Sequence, residues 1–192
     1  MSDMSSVPFQ LFKGINYQLA SGDLTVFQIL NANQTIVALT GDGNQAIIVI
    51  GFYNRSRLIA FPKTNLIDTL NKNVHKSNPL VNNFVNYLTR GKCTNFFHCY
   101  YPLEKYKYLK GIRNAVIGVS PDSVFNVSEF TNEIIKNDWH LFIGSETWQE
   151  TENLKPLVKL YGICITTNTE RFNLINHNIC TNITFSSKFE CS

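Results

Sequence analysis

From position 24 the apolar residues fall into short β-rich runs, 25–30, 34–40, 45–52 and 57–61, separated by polar and turn-forming stretches. This spacing predicts antiparallel hairpins, and Asp42-Gly43 offers turn residues that accept positive φ in a tight connection. The four runs are expected to form one meander. Within it Ile47, Ile48, Val49 and Ile50 are apolar without alternation, the pattern of a central strand covered on both faces. Ahead of these runs Pro8, Gly14 and Gly22 interrupt isolated apolar residues such as Phe9, Leu11 and Phe12, so 1–23 is expected as an irregular lead-in packed on the body.

After Pro62 the period lengthens, and 65–71 and 78–90 read as helices. In the second, Leu80, Phe84, Tyr87 and Leu88 share one face, Asn78 or Ser77 ahead of Pro79 starts it, and Gly91 stops it. Strand and helix then alternate: 94–100 strand, 102–110 helix, 114–119 strand, 127–137 helix opened by Asn126 or Ser128, 140–144 strand, 152–161 helix and 163–166 strand. Such alternation implies βαβ crossovers, hence a mostly parallel sheet with helices on both faces and the meander at its edge. Past Thr167 the pattern weakens, with 182–185 as one further strand. No repeat, linker or low-complexity segment divides the chain, so 24–192 is expected as a single α/β domain.

Composition narrows the function. A 44% hydrophobic share over 192 residues fills one substantial core. The net charge of +3 comes from 17 basic and 14 acidic residues without a block of either sign, which argues against nucleic acid. The cysteines make no CxxC and the histidines no HExxH, so neither a structural zinc nor another cofactor is expected. Cys93, Cys99 and Cys164 read as buried thiols, whereas Cys180 and Cys191 suit a pair in a secreted protein. No leader-like segment opens the chain and no run is long enough to span a bilayer, so a cytoplasmic location without membrane insertion is expected. Sequons at Asn33, Asn54, Asn126 and Asn182 point the other way, although an Asn-rich chain produces sequons by chance. Lys105, Lys107, Lys110 and Arg113, interleaved with tyrosines, form either a solvated face or a contact surface for an acidic partner.

The most distinctive stretch is 138–148, where the apolar run of the 140–144 strand ends in small and polar residues. A ligand crevice in an α/β sheet lies outside the carboxyl ends of the strands, which makes Gly144, Ser145, Glu146 and Trp148 the candidate ligand or partner-binding residues. Ser145 occupies a strand-to-helix elbow. As a nucleophile it would need a base, for which His177 is the downstream histidine, and Glu146 as acid; the second glycine of a G-x-S-x-G elbow is replaced by Thr147. The structural readings beside these are Ser145 as a helix cap and Glu146 as a first-turn complement to the helix dipole. Trp139 reads as core, and Trp148 either as core or as a partner or sugar anchor.

The order of these motifs resembles the glutamine-amidotransferase-like domain of the transient-receptor-potential channel-associated factors and their enhancin-like metallopeptidase relatives. The matching pieces are the hairpin 35–61, the helix ending NYLTRG at 86–91, the strand AVIG at 115–118, the helix 128–136, the block LFIGSETW at 141–148 and YGICI at 161–165. Here Asn137-Asp138-Trp139-His140 stands where the family places a run of glycines. The resemblance implies a flavodoxin-like three-layer domain related to class I amidotransferases but without the elbow cysteine. It also implies action through protein contacts, on a membrane channel or its trafficking machinery, at the cytoplasmic periphery of the plasma membrane. The expected function is a non-catalytic protein-interaction domain, a pseudoenzyme. Two alternatives stand beside it: a serine hydrolase or amidotransferase-type enzyme using Ser145, and a carbohydrate-binding module of a secreted protein.

Overall fold

The computed structural model describes residues 7–15, 20–30, 35–39, 46–62, 78–92, 100–119, 125–144 and 154–174. Strands β1 (Ala20–Ile29), β2 (Thr35–Leu39), β3 (Ala46–Tyr53), β4 (Ser56–Phe61), β5 (Tyr100–Pro102), β6 (Val116–Val119), β7 (His140–Gly144) and β8 (Ile163–Leu174) join into one sheet. Its order is β5-β6-β7-β4-β3-β1-β8, with β2 also paired to β3. Among the described residues four helices accompany them: α1 (Val7–Phe12), α2 (Pro79–Thr89), α3 (Val127–Asn137) and α4 (Lys155–Leu160), with a 3₁₀ helix at Leu103–Leu109. The chain is therefore a mixed α/β fold.

β4 is the junction of the sheet. It pairs antiparallel with β3 from Tyr53↔Ser56 to Val49↔Ala60, closing a two-residue turn in which Asn54 takes φ 54°. On its other edge it pairs parallel with β7, from Leu58↔Leu141 to Phe61↔Gly144. β6 continues the parallel part from β7, and β5 from β6. Parallel pairing is thus confined to β4–β7, and the hairpin strands carry the sheet onward from β4 instead of stopping at an edge.

The four-run meander is corrected at its first strand. Among the described residues β1 pairs with β3 at Phe27↔Ala46, and its long pairing is antiparallel to β8, from Ala20↔Leu174 to Ile29↔Ile163. The last strand, expected to stop at 166, reaches Leu174; its later residues, such as Asn168 and Arg171, lack the apolar alternation that marks a strand. The lead-in is not irregular throughout, because it holds α1 and the start of β1. A six-residue helix is too short for its period to show, yet it places Leu11 and Phe12 in the core, and the turn after it adds Ile15. The expected helix 102–110 forms as the tighter 3₁₀ type. The expected helix 65–71, the Asp42-Gly43 turn and the strands at 94–99 and 182–185 lie outside the described residues.

Alternation along the strands builds two cores. Ile48, Ile50, Ile59, Phe61, Val116 and Phe142 face α1 and α2, where Phe84 meets Phe12, Phe61 and Phe142 edge-on at 5.5–6.2 Å between ring centres. On the other face Val49, Leu58, Ala60, Ile117, Leu141 and Ile143 pack with Phe130, Trp139, Leu157 and Tyr161. Ile48, Val49 and Ile50 are all fully buried, as their unbroken apolar run predicts. The close fit is sharpest at Gly51, where an added Cβ would lie 2.7 Å from Tyr161 Cβ.

The helix ends follow their local chemistry. The Asn78 carboxamide accepts from the Leu80 and Val81 amides at 3.1 and 3.2 Å, Pro79 opens α2, and Arg90 closes it in the left-handed conformation. Asn126 accepts from the Glu129 amide at 3.0 Å to start α3, and Asp138 at φ 54° closes it. Asp138 thus takes the left-handed position for which glycine is the usual residue.

Candidate functional site

The expected crevice lies where the parallel strands end. Gly144 pairs with Phe61 and Ile143 with Val119, so β4, β6 and β7 finish side by side. Gly144 is buried in that row. Ser145, Glu146 and Trp148, which follow it, lie outside the described residues, as does His177. The structure therefore places one member of the predicted set and the strand ends that frame it.

The opposite end of the same strands, their foot, holds two buried polar nodes that sequence reasoning passed over. On the α2 face is His140, first residue of β7. Its Nδ1 accepts the Arg57 backbone N–H at 3.1 Å, which leaves the proton on Nε2 to donate to Asn114 Oδ1 at 2.8 Å. Burial, with Arg57 and Arg90 nearby, lowers its pKa from 6.5 to about 4 and keeps the ring neutral. Arg57 in turn donates Nη1–H to Tyr87 O at 2.7 Å and lies 4.8 Å over the Tyr87 ring, a cation holding the last turn of α2. With both ring nitrogens engaged, His140 is a cross-brace between β4, β7 and the 3₁₀-to-β6 loop.

On the α3 face Ser56 plays the matching part. Its hydroxyl donates to Trp139 O at 2.6 Å and accepts from the Tyr161 hydroxyl at 2.6 Å. Burial drives the Tyr161 pKa up, so the phenol stays protonated as the donor. Trp139 is fully buried, as its core reading predicts, and its indole N–H reaches Ile112 O at 2.8 Å. At the end of α3 the Asn137 side-chain amide donates to Glu133 and its Oδ1 accepts from the Gly111 N–H at 3.2 Å. The one sequence signal for these nodes is parity, because His140 shares the strand face of Phe142 and Ser56 that of Leu58.

Beside the Ser56 node a groove of about 360 Å³ runs between the β3–β4 turn and the end of α3, lined by Tyr53, Arg55, Ile135 and Asp138 among others. It is at the foot, away from the crevice. Among the described residues no three His, Cys, Asp or Glu side chains form a metal site, and no helix is long and apolar enough to cross a membrane. Cys164, expected as a free thiol, is buried on β8 and disulfide-bonded. The other four cysteines lie outside the described residues. The apolar run around Cys164 gave no sign of pairing, since a disulfide sulfur and a buried thiol suit the same surroundings.

No protein-family model and no curated protein matches the chain. Among solved structures it is similar to the IMPa metallopeptidase from Pseudomonas aeruginosa, with a TM-score of 0.56 at 10% identity. That match covers 91% of this chain and 24% of the metallopeptidase. IMPa in complex with an O-glycopeptide and IMPa in complex with T-antigen give 0.57 and 0.58 at the same identity and coverage. The likeness is one of fold, and the chain spans about a quarter of the length of these structures. It agrees with the metallopeptidase side of the resemblance seen in the sequence.

Proposed function

We propose that the chain is a non-catalytic, amidotransferase-like binding domain of flavodoxin-like type, a pseudoenzyme whose partner is another protein. The observation that carries this reading is that 91% of the chain matches a quarter of a metallopeptidase, so the same fold occurs elsewhere as one part of a larger protein. The described interior supports it. His140, Ser56 and Tyr161 are spent on bonds that tie strands and helices together, and none is directed to the crevice. A membrane channel or its trafficking machinery is the partner class that the family resemblance suggests. The test is affinity capture with the wild-type chain and with Trp148→Ala. A partner retained by the first and lost by the second supports the reading; identical capture counts against Trp148 as the anchor.

A second reading has its own observations. The neighbours include a metallopeptidase solved with an O-glycopeptide and with T-antigen, and the Cys164 disulfide suits an oxidising compartment better than the cytoplasm. These favour a secreted module that recognises a glycan on its partner. Occupied sequons at Asn54 and Asn126, both exposed, would accompany secretion. Titration with a glycopeptide and its unglycosylated counterpart separates the two readings, since only the second requires the sugar.

A further inference from the structure

The foot of the sheet gathers loops that are far apart in sequence. The β3–β4 turn and the end of α3 face each other across the groove. Asn114 N–H donates to Asn137 O at 3.0 Å and His140 N–H to Ala115 O at 2.8 Å, which draws in the loop before β6. Arg57 joins the end of α2 through Tyr87 O. The charges on these loops are strongly one-sided. Arg55, Arg90, Lys92 and Arg113 are exposed, and none pairs with a carboxylate among the described residues; Lys110 alone is neutralised, by Glu129 and Glu133 at 3.7 Å each. Neither the hydrogen bonds nor the packing of the fold requires Arg55, Lys92 or Arg113 to be cationic.

We infer that this foot is a docking surface for an acidic peptide segment of a protein partner. The inference rests on the reading of the chain as a protein-binding domain and assigns that partner its chemistry. Charge complementarity selects an anionic ligand, because unpaired cations on several loops raise the local concentration of anions and steer them in. The groove selects a peptide over a uniform polyanion. Ile135, 44% exposed, and the half-buried Tyr53 offer an apolar seat beside Arg55, and the Asp138 carboxylate at the same groove repels a ligand charged at every repeat. A segment alternating carboxylates with apolar side chains meets all three features. The surface lies at the opposite end of the strands from Gly144, so the two ends can be occupied together.

Fluorescence anisotropy with a labelled peptide alternating glutamate and leucine tests this on the full chain. The peptide is expected to bind at low salt, to weaken steeply as salt rises, and to lose at least about tenfold in affinity with the double variant Arg55→Glu/Arg90→Glu. Lys13→Glu, at an exposed cation in the turn after α1, is expected to bind as wild type. Equal binding by the double variant, or no binding by the wild type, overturns the inference. So does an oligonucleotide or a sulfated glycan that binds more tightly than the peptide and is lost with the same double variant. Thermal melts of both variants verify folding. If the peptide fails while Trp148-dependent capture of a partner persists, the foot is wrong and the protein-binding reading stands.

Discussion

Acid should weaken this fold through one residue. His140 titrates near 4 when folded and near 6.5 when unfolded, because protonation would strand a charge among buried groups beside Arg57 and Arg90. It would also turn Nδ1 into a second N–H facing the Arg57 amide. The sign follows from the protons bound. Between pH 6.5 and 4 the unfolded chain holds a proton on His140 that the folded chain does not, so its contribution is intact above 6.5 and is lost as pH falls towards 4. The gap between the two values corresponds to about 3 kcal/mol at 1.36 kcal/mol per pH unit, a large part of the roughly 5–15 kcal/mol stability of a domain. Carboxylates titrate in the same range, so the measurement is a double difference. Urea unfolding at pH 7.5, 6.5, 5.5 and 4.5 is compared between wild type and His140→Gln, whose side chain does not titrate. The wild type should lose about 2–3 kcal/mol more than the variant over that range. Parallel pH profiles, or an NMR titration of His140 near 6.5, would show that the folded chain does not hold this ring neutral.

Ser56→Ala should cost about 1–3 kcal/mol in chemical denaturation, because it leaves the buried Tyr161 hydroxyl without its acceptor; a loss below half that would mean water replaces it. Gly51→Ala forces a methyl to within 2.9 Å of Tyr161 O, and overpacking of that kind should lower stability by about 1–3 kcal/mol, read as a drop in Tm. Asn78→Ala removes an acceptor from two amides of α2 and should cost about 1 kcal/mol. Alkylation of the unfolded, unreduced protein should leave the Cys164 peptide unmodified until a reductant is added; modification beforehand would show a free thiol.

What the sequence made legible was local. The starts of α2 and α3, the span of β7 and the buried run in β3 follow from short-range chemistry: an Asn ahead of a helix, an unbroken apolar stretch. Partner choice among strands was not legible. β1 has the composition of a hairpin strand, yet it pairs with β8, some 140 residues on in sequence, and nothing in its own pattern encodes that distance. The polar foot was hidden for a related reason. His140, Arg57 and Asn114 are unremarkable where each stands, and their bonding exists only once β4, β7 and β6 are side by side. The end of β7 at Gly144 was legible for the same local reason, since the end of an apolar run marks the end of a buried strand.

The proposal that this chain binds and does not catalyse is tested by labelling the folded protein with a fluorophosphonate, with Ser145→Ala as control. No difference in labelling between the two proteins is expected. Labelling of the wild type that disappears with Ser145→Ala would show a working nucleophile at the elbow and contradict the proposal.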